Sequence, residues 1–206
     1  MTLRFQSLPL AFTLAICSWT AVAASTTELV VSGRITPSAC TPTLSQGGVI
    51  DHGKISAKDL SPSNATVIGN DSIQMSVTCE GQTLLAIRAT DNRAGTASGE
   101  FNYGIGLVGG KPLGAYFLLW RKPLADDVMV QSIGSYNQGA TWLSETIAEP
   151  GMYMSVAPLG HTHTPYAIKR LDLDLGVQTY ITRTAGLDLS NEVPIDGSAT
   201  LEVMYL

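Results

Sequence analysis

The chain has 206 residues, 45% of them hydrophobic and only 14% charged, against about 25% charged in an average domain. That is enough apolar material for a core and too much for a disordered chain. The formal net charge of −5 excludes the basic excess of a nucleic-acid-binding protein and of a polybasic membrane-surface protein. With 20 glycines and 10 prolines, what remains is a compact, weakly charged, turn-rich protein.

The first segment, residues 1–24, carries Arg4 ahead of an apolar stretch from Leu8 to Val22, and Ala21, Ala23 and Ala24 close it with small side chains. This is the plan of a secretory signal peptide with an A-x-A cleavage site; a retained N-terminal anchor is the alternative. The apolar run is too short and too interrupted to span a bilayer, which takes about 20 apolar residues. No later stretch reaches that length, so the mature chain, residues 25–206, is expected to have no transmembrane segment and to be exported. Cleavage removes Cys17 and leaves Cys40 and Cys79. Two cysteines in an exported chain predict one disulfide, with two free buried thiols as the alternative.

Beyond residue 24 the pattern is that of strands. Glu28 to Ile35 sets Leu29, Val31 and Ile35 on one side, with Gly33 between them. Ser72 to Cys79 alternates Ile73, Met75, Val77 and Cys79 with polar residues. Leu84 to Ala89, Leu113 to Trp120 and Met152 to Ala157 are β-prone. Leu171 to Leu175 alternates leucines with Asp172 and Asp174, and Val177 to Thr184 is rich in β-branched residues. Ser198 to Leu206 alternates again. Short period-2 runs separated by Gly, Pro, Asn and Asp predict a sandwich or barrel. No repeat, linker or low-complexity tract divides the chain, so one all-β domain over residues 25–206 is expected.

Several motifs invite a chemical reading. Gly104-Ile105-Gly106-Leu107-Val108-Gly109 matches G-x-G-x-x-G. That motif needs a helix opening after it, and Gly110-Lys111-Pro112 does not start one; a glycine-rich strand edge is expected instead. His161 and His163, with His52, are all the histidines, and two imidazoles on one face would need a third ligand to hold a metal. The flanking Gly160 and Pro165 favour an exposed loop. Asp172 and Asp174 read as the solvent face of a strand whose leucines face the core, rather than as a glycosidase pair, which spans a cleft. No catalytic, metal or cofactor site is assigned, and the chain is not expected to be an enzyme. Trp120 and Trp142 are expected in the core.

The two ends carry the rest. The last strand presents Ala199, Leu201, Val203 and Tyr205 on one face, and the mature chain opens with the extended segment from Ser25 to Ser32. Gly33 stands seven residues before Cys40, Cys79 closes an alternating strand, and Ala199 to Leu206 forms a terminal Ala-Thr-x-x-Val-x-Tyr-x pattern. These features resemble the pilin subunits of the bacterial chaperone–usher pathway. Gly33 to Pro42, Gly47 to Gly53, Asp91-Asn92-Arg93 and Asp196 to Leu201 are similar to an uncharacterised GltF-like family of exported, fimbrial-like bacterial proteins, and that likeness covers most of the mature chain.

The resemblance implies an immunoglobulin-like, pilin-like β-sandwich that lacks its last strand. It implies a fimbrial-like surface subunit acting in cell adhesion and assembled by donor-strand exchange, with a periplasmic chaperone, an usher and other pilus subunits as partners. Leu29 and Val31 would be donor-strand plugs, and Ala199, Leu201, Val203 and Tyr205 the strand that pairs with the chaperone. Localisation would be the periplasm, or the cell surface within a fimbrium. Two departures stand out: the segment before Gly33 is about eight residues long after cleavage, shorter than a typical pilin donor strand, and Val193 stands where many pilins carry glycine fourteen residues from the C-terminus. The alternative function is a monomeric periplasmic binding module of β-sandwich fold that does not polymerise.

Overall fold

In a computed structural model, the chain divides into two units, residues 1–35 and 36–206. The described residues are Val30 and 39–206. The 1–24 segment and the expected donor plugs Leu29 and Val31 therefore lie outside them.

Eight strands of five or more residues build the second unit: β1 (Cys40–Leu44), β2 (Thr66–Thr83), β3 (Leu85–Asp91), β4 (Gly114–Ala125), β5 (Gln131–Ser135), β6 (Tyr153–Ala157), β7 (Ile168–Ile181) and β8 (Ala199–Tyr205). They form two antiparallel sheets. The first runs β1–β2–β7–β4, with Ile147–Ala148 beyond β4. The second runs β5–β6–β3–β8, with Leu143–Ser144 outside β5. Their inner faces enclose one core, so the fold is an all-β sandwich.

The alternation explains the layers. In β2, Ile73, Met75, Val77 and Cys79 are buried, while Gln74 and Thr78 are exposed. In β7, Leu171, Leu173, Leu175 and Val177 are buried, and Asp172 and Asp174 point out. The runs expected as two strands, Leu171–Leu175 and Val177–Thr184, are one strand continuous through Gly176. Hydrogen bonding from β2 on one side and β4 on the other holds that central strand extended. Opposite Asp172–Asp174 the register against β4 slips, at a bulge where Lys122 takes a φ of 48°.

Trp120 and Trp142 are both buried, but in different places. Trp120 sits in the main core. Trp142 closes a satellite cluster with Ala86, Ile133, Tyr153 and Ala157 on the other face of the second sheet. In the main core the rings of Tyr103 and Tyr116 stack at 5.0 Å, and the Tyr103 hydroxyl donates to the Ala148 carbonyl at 2.9 Å. Burial pushes both phenols above their usual range.

Cys40 and Cys79 are directly opposed on β1 and β2 and are joined as a disulfide. The bridge ties the edge strand β1 to the sheet and closes a loop of sequence separation 39. Replacing both cysteines by serine is expected to lower unfolding stability by about 3–4 kcal/mol. The check is an earlier urea midpoint than the oxidised parent, with reductant shifting the parent but not the variant.

Candidate functional site

The strand β8 pairs with β3 along its whole length, from Ala199 opposite Asp91 to Tyr205 opposite Leu85. Among the described residues no strand pairs with its other edge. Across that open edge lies β1, the border of the first sheet. One link joins the two borders, where the Cys40 backbone N–H donates to the Tyr205 hydroxyl at 3.0 Å. Above that link no described residue closes the gap between the sheets.

The face of β8 expected to pair with a partner strand lies on this opening. Ala199, Leu201 and Val203 are half-buried and pack against the main core, whereas Thr200 and Glu202 are exposed. Tyr205 is 41% exposed, its hydroxyl at the Cys40 link. A groove of about 270 Å³ runs beside the strand, floored by Tyr116, Leu118, Leu175 and Val177. A larger cleft of about 720 Å³ opens between the loop after β1, at residues 50–57, and the loop before β8, at residues 189–195. Ile50, His52 and Ile195 line both, so groove and cleft share a wall.

Two sequence motifs turn out to be one device. Asp91 Oδ1 accepts from the Arg93 backbone N–H at 2.8 Å, and its Oδ2 from that of Gly104 at 2.9 Å. The Asn92 amide donates to Ser198 Oγ at 2.9 Å and Thr200 Oγ1 at 3.1 Å. The Arg93 guanidinium donates to both oxygens of Asp196, at 2.8 and 2.7 Å. Asp91-Asn92-Arg93 and Asp196-Gly197-Ser198 therefore clasp the start of β8 to the end of β3. Sequence reading singles out both stretches and gives no reason for them, because about a hundred residues separate them.

His52 is expected from sequence only as a spare histidine. Its ring lies over Gly69 of β2, with Nε2 3.1 Å from Thr179 Oγ1 and Nδ1 3.8 Å from Asp71 Oδ2. A methyl group at residue 69 would collide with the ring and with Asp71. Glycine there is what lets the loop after β1 dock on the sheet.

The other candidates serve the fold. Leu107–Val108 and Lys111–Pro112 make a tight hairpin whose turn, Gly109-Gly110, has φ of 56° and 77°, so the G-x-G-x-x-G run opens no helix. His163 Nδ1 lies 3.1 Å from the Trp142 carbonyl, and the His161 carbonyl accepts from Gln131; both anchor a loop. Asp172 Oδ1 accepts from Ser76 Oγ and pairs with Arg170, while Asp174 accepts from Gln74 and faces Lys122. Among the described residues no group of three or more His, Cys, Asp or Glu is placed to hold a metal, and no helix is long and apolar enough to cross a membrane.

Among the described residues this geometry defines the class as an all-β, disulfide-tied sandwich with an open edge. Comparison with known proteins places relatives beside it. The family described as "Protein of unknown function (DUF1120)" matches residues 29–107, a stretch from before β1 through β3. The chain is 38% identical over 96 residues to Protein GltF of Escherichia coli (strain K12), covering 41% of this chain and 38% of GltF. It is 26% identical to the uncharacterized protein YhcF of the same organism, over 93% of this chain and 95% of that one.

The hydrogen bonds from Arg93 hold the Asp196 carboxyl below the usual carboxylate range. A carboxyl with a depressed folded pKa contributes stability above its unfolded value, about 3.9, and loses it as pH falls below that. Asp196→Asn should therefore melt lower than the parent between about pH 5 and 8, with the gap closing as pH drops from about 4 towards 2. A gap that persists at the acid end would mean the clasp holds without the charge.

Proposed function

We propose that the chain is a fimbrial-like surface subunit, assembled by donor-strand exchange through the chaperone–usher pathway, with a role in cell adhesion. The observation that carries this reading is the open edge of β8, with Ala199, Leu201 and Val203 half-buried beside a groove. An immunoglobulin-type sandwich orders its strands A-B-E-D against C-F-G. Here β1–β2–β7–β4 takes the first order, β3 and β8 stand where C and F would, and a G strand is the piece the open edge would receive.

Strand addition has a clear physical basis. The backbone groups of an edge strand supply affinity, and alternate side chains seated in pockets supply specificity. An unfilled edge is an aggregation hazard, which is what a periplasmic chaperone strand would cover before another pilus subunit replaces it. In the next subunit, Leu29 and Val31 would be the plugs. The disulfide supports an oxidising compartment, hence export through the periplasm by way of the usher. The role is structural and has no catalytic step.

The test is the native mass of the oxidised periplasmic protein, made with and without residues 25–32. SDS-resistant oligomers, or recovery only with a chaperone, are expected for the intact chain and are expected to be lost on truncation. Stable monomers from both forms would overturn strand donation and leave the monomeric binding module.

A further inference from the structure

The C-F-G sheet of an immunoglobulin-type sandwich is antiparallel. A strand seated on the open edge of β8 therefore runs opposite to β8 and leaves the sandwich at the Ala199 end. At the Tyr205 end the lips are joined by the Cys40 backbone and the Tyr205 hydroxyl. Of the inward row of β8, the groove takes in Ala199 and Leu201. That is a short site, suited to two alternate side chains, and the donor segment carries two plugs, Leu29 and Val31. Whatever follows Val31 in the donor passes out at the Ala199 end. The cleft lies there: residues 189–195 lead into β8, residues 50–57 follow β1, and Leu113 and Ile181 stand at the neighbouring ends of β4 and β7.

Residues 32–39 connect Val31 to Cys40, the first residue of the donor's own β1. At about 3.3–3.6 Å per residue, that sandwich begins within about 30 Å of the groove's end, with the cleft in the path of the connection. The chemistry of the two fits. With Leu29 and Val31 turned inward, the inward row continues through Gly33 and Ile35, the outward row carries Arg34, and Pro37 ends the extended run. In the cleft, Leu60, Leu113 and Ile181 make an apolar floor, and the charges of Asp51, Lys54 and Glu192 stand exposed at the rim. Lys54 is already paired with Glu192 at 2.7 Å. Asp51 Oδ1 accepts from the Gly53 backbone N–H at 2.8 Å, and Asp51 has no ion-pair partner among the described residues. The rim is left negative, and Arg34 is the one charged residue of the connection.

We infer that the cleft between residues 50–57 and 189–195 is a second docking site for a second copy of this chain, which lays its residues 33–37 there once Leu29 and Val31 are seated beside β8. Ile35 rests on the apolar floor and Arg34 faces Asp51 at the rim. This rests on the strand-acceptor reading above and adds a recognition surface outside the groove. It gives a donor segment with only two plugs a further hold on its acceptor.

The experiment refolds mature oxidised chains as mixtures of two variants, each with one added cysteine, and reads reductant-sensitive dimers. Arg34→Cys mixed with Asp51→Cys reports the cleft, and Val31→Cys mixed with Leu201→Cys reports strand acceptance. Each variant alone, and Arg34→Cys mixed with Ser144→Cys on the far edge of the second sheet, set the background. Both pairs are expected to exceed it by about ten-fold or more, since docked cysteines meet at about mM effective concentration. Adding Ile35→Asp to the Arg34→Cys chain should lower the cleft dimer by about ten-fold. A cleft pair at background, or a cleft yield that Ile35→Asp leaves unchanged, overturns the proposal, while a strand pair above background keeps strand acceptance standing. Both pairs at background overturn both.

Discussion

A β-strand offers hydrogen-bonding groups along two edges, and β8 uses one. Over its seven residues, from Ala199 to Tyr205, the backbone facing β1 has no strand beside it among the described residues. Much of the surrounding structure manages that edge. The disulfide fixes β1 as the opposite lip. The Cys40–Tyr205 hydrogen bond sets the spacing of the lips at one end, and the clasp of Asp91, Asn92 and Arg93 on residues 196–200 fixes β8 at the other. A strand with a free edge and half-buried Leu201 and Val203 gains less from packing than an interior strand such as β7. The polar clasp is a physical reason that it nonetheless stays registered on β3.

The parts of this arrangement legible in sequence are those governed by period-2 burial. Ser72 to Cys79 reads as a strand because one face must be apolar and the other wet, and β2 extends that run in both directions. The terminal alternation at Ala199 to Tyr205 is legible for the same reason. The first strand is hard to read as one: Cys40-Thr41-Pro42-Thr43-Leu44 alternates only briefly, and Pro42 gives up a backbone donor, which a strand accepts at a border such as this one. Gly176 makes one strand look like two, because the support that keeps it extended comes from β2 and β4 rather than from local propensity.

The functional candidates are harder for a related reason. Arg93 and Asp196, Asn92 and Ser198, His52 and Thr179 are pairs across the fold, joined only when β3, β8 and the loop after β1 converge. A sequence holds the members and not the pairing. The histidine with the stronger sequence case for metal chemistry, His163, anchors a loop, whereas His52, an isolated ring in the sequence, bridges two sheet residues at the groove. Two signals point to it: Asp71 and Thr179 each occupy an inward position in a run of apolar residues, and the informative anomaly in a core is the polar side chain.

The two ends of the groove are pinned by different chemistry, and this bears on how it would take up a strand. At the Tyr205 end the constraint is the Cys40–Tyr205 hydrogen bond, backed by the disulfide that ties β1 to β2. At the Ala199 end it is polar: the Arg93–Asp196 pair, the His52 bridge, and the Lys54–Glu192 ion pair at 2.7 Å between the two loops of the cleft. The last is highly exposed on both sides and adds little stability on its own. The clasp and the bridge are each held by more than one polar contact, so the loops beside the groove are positioned before anything enters it. A binding surface whose walls are already ordered spares an incoming chain the entropy of arranging them. The ordering that remains falls on the incoming strand, and its backbone hydrogen bonds to β8 are what offset that cost.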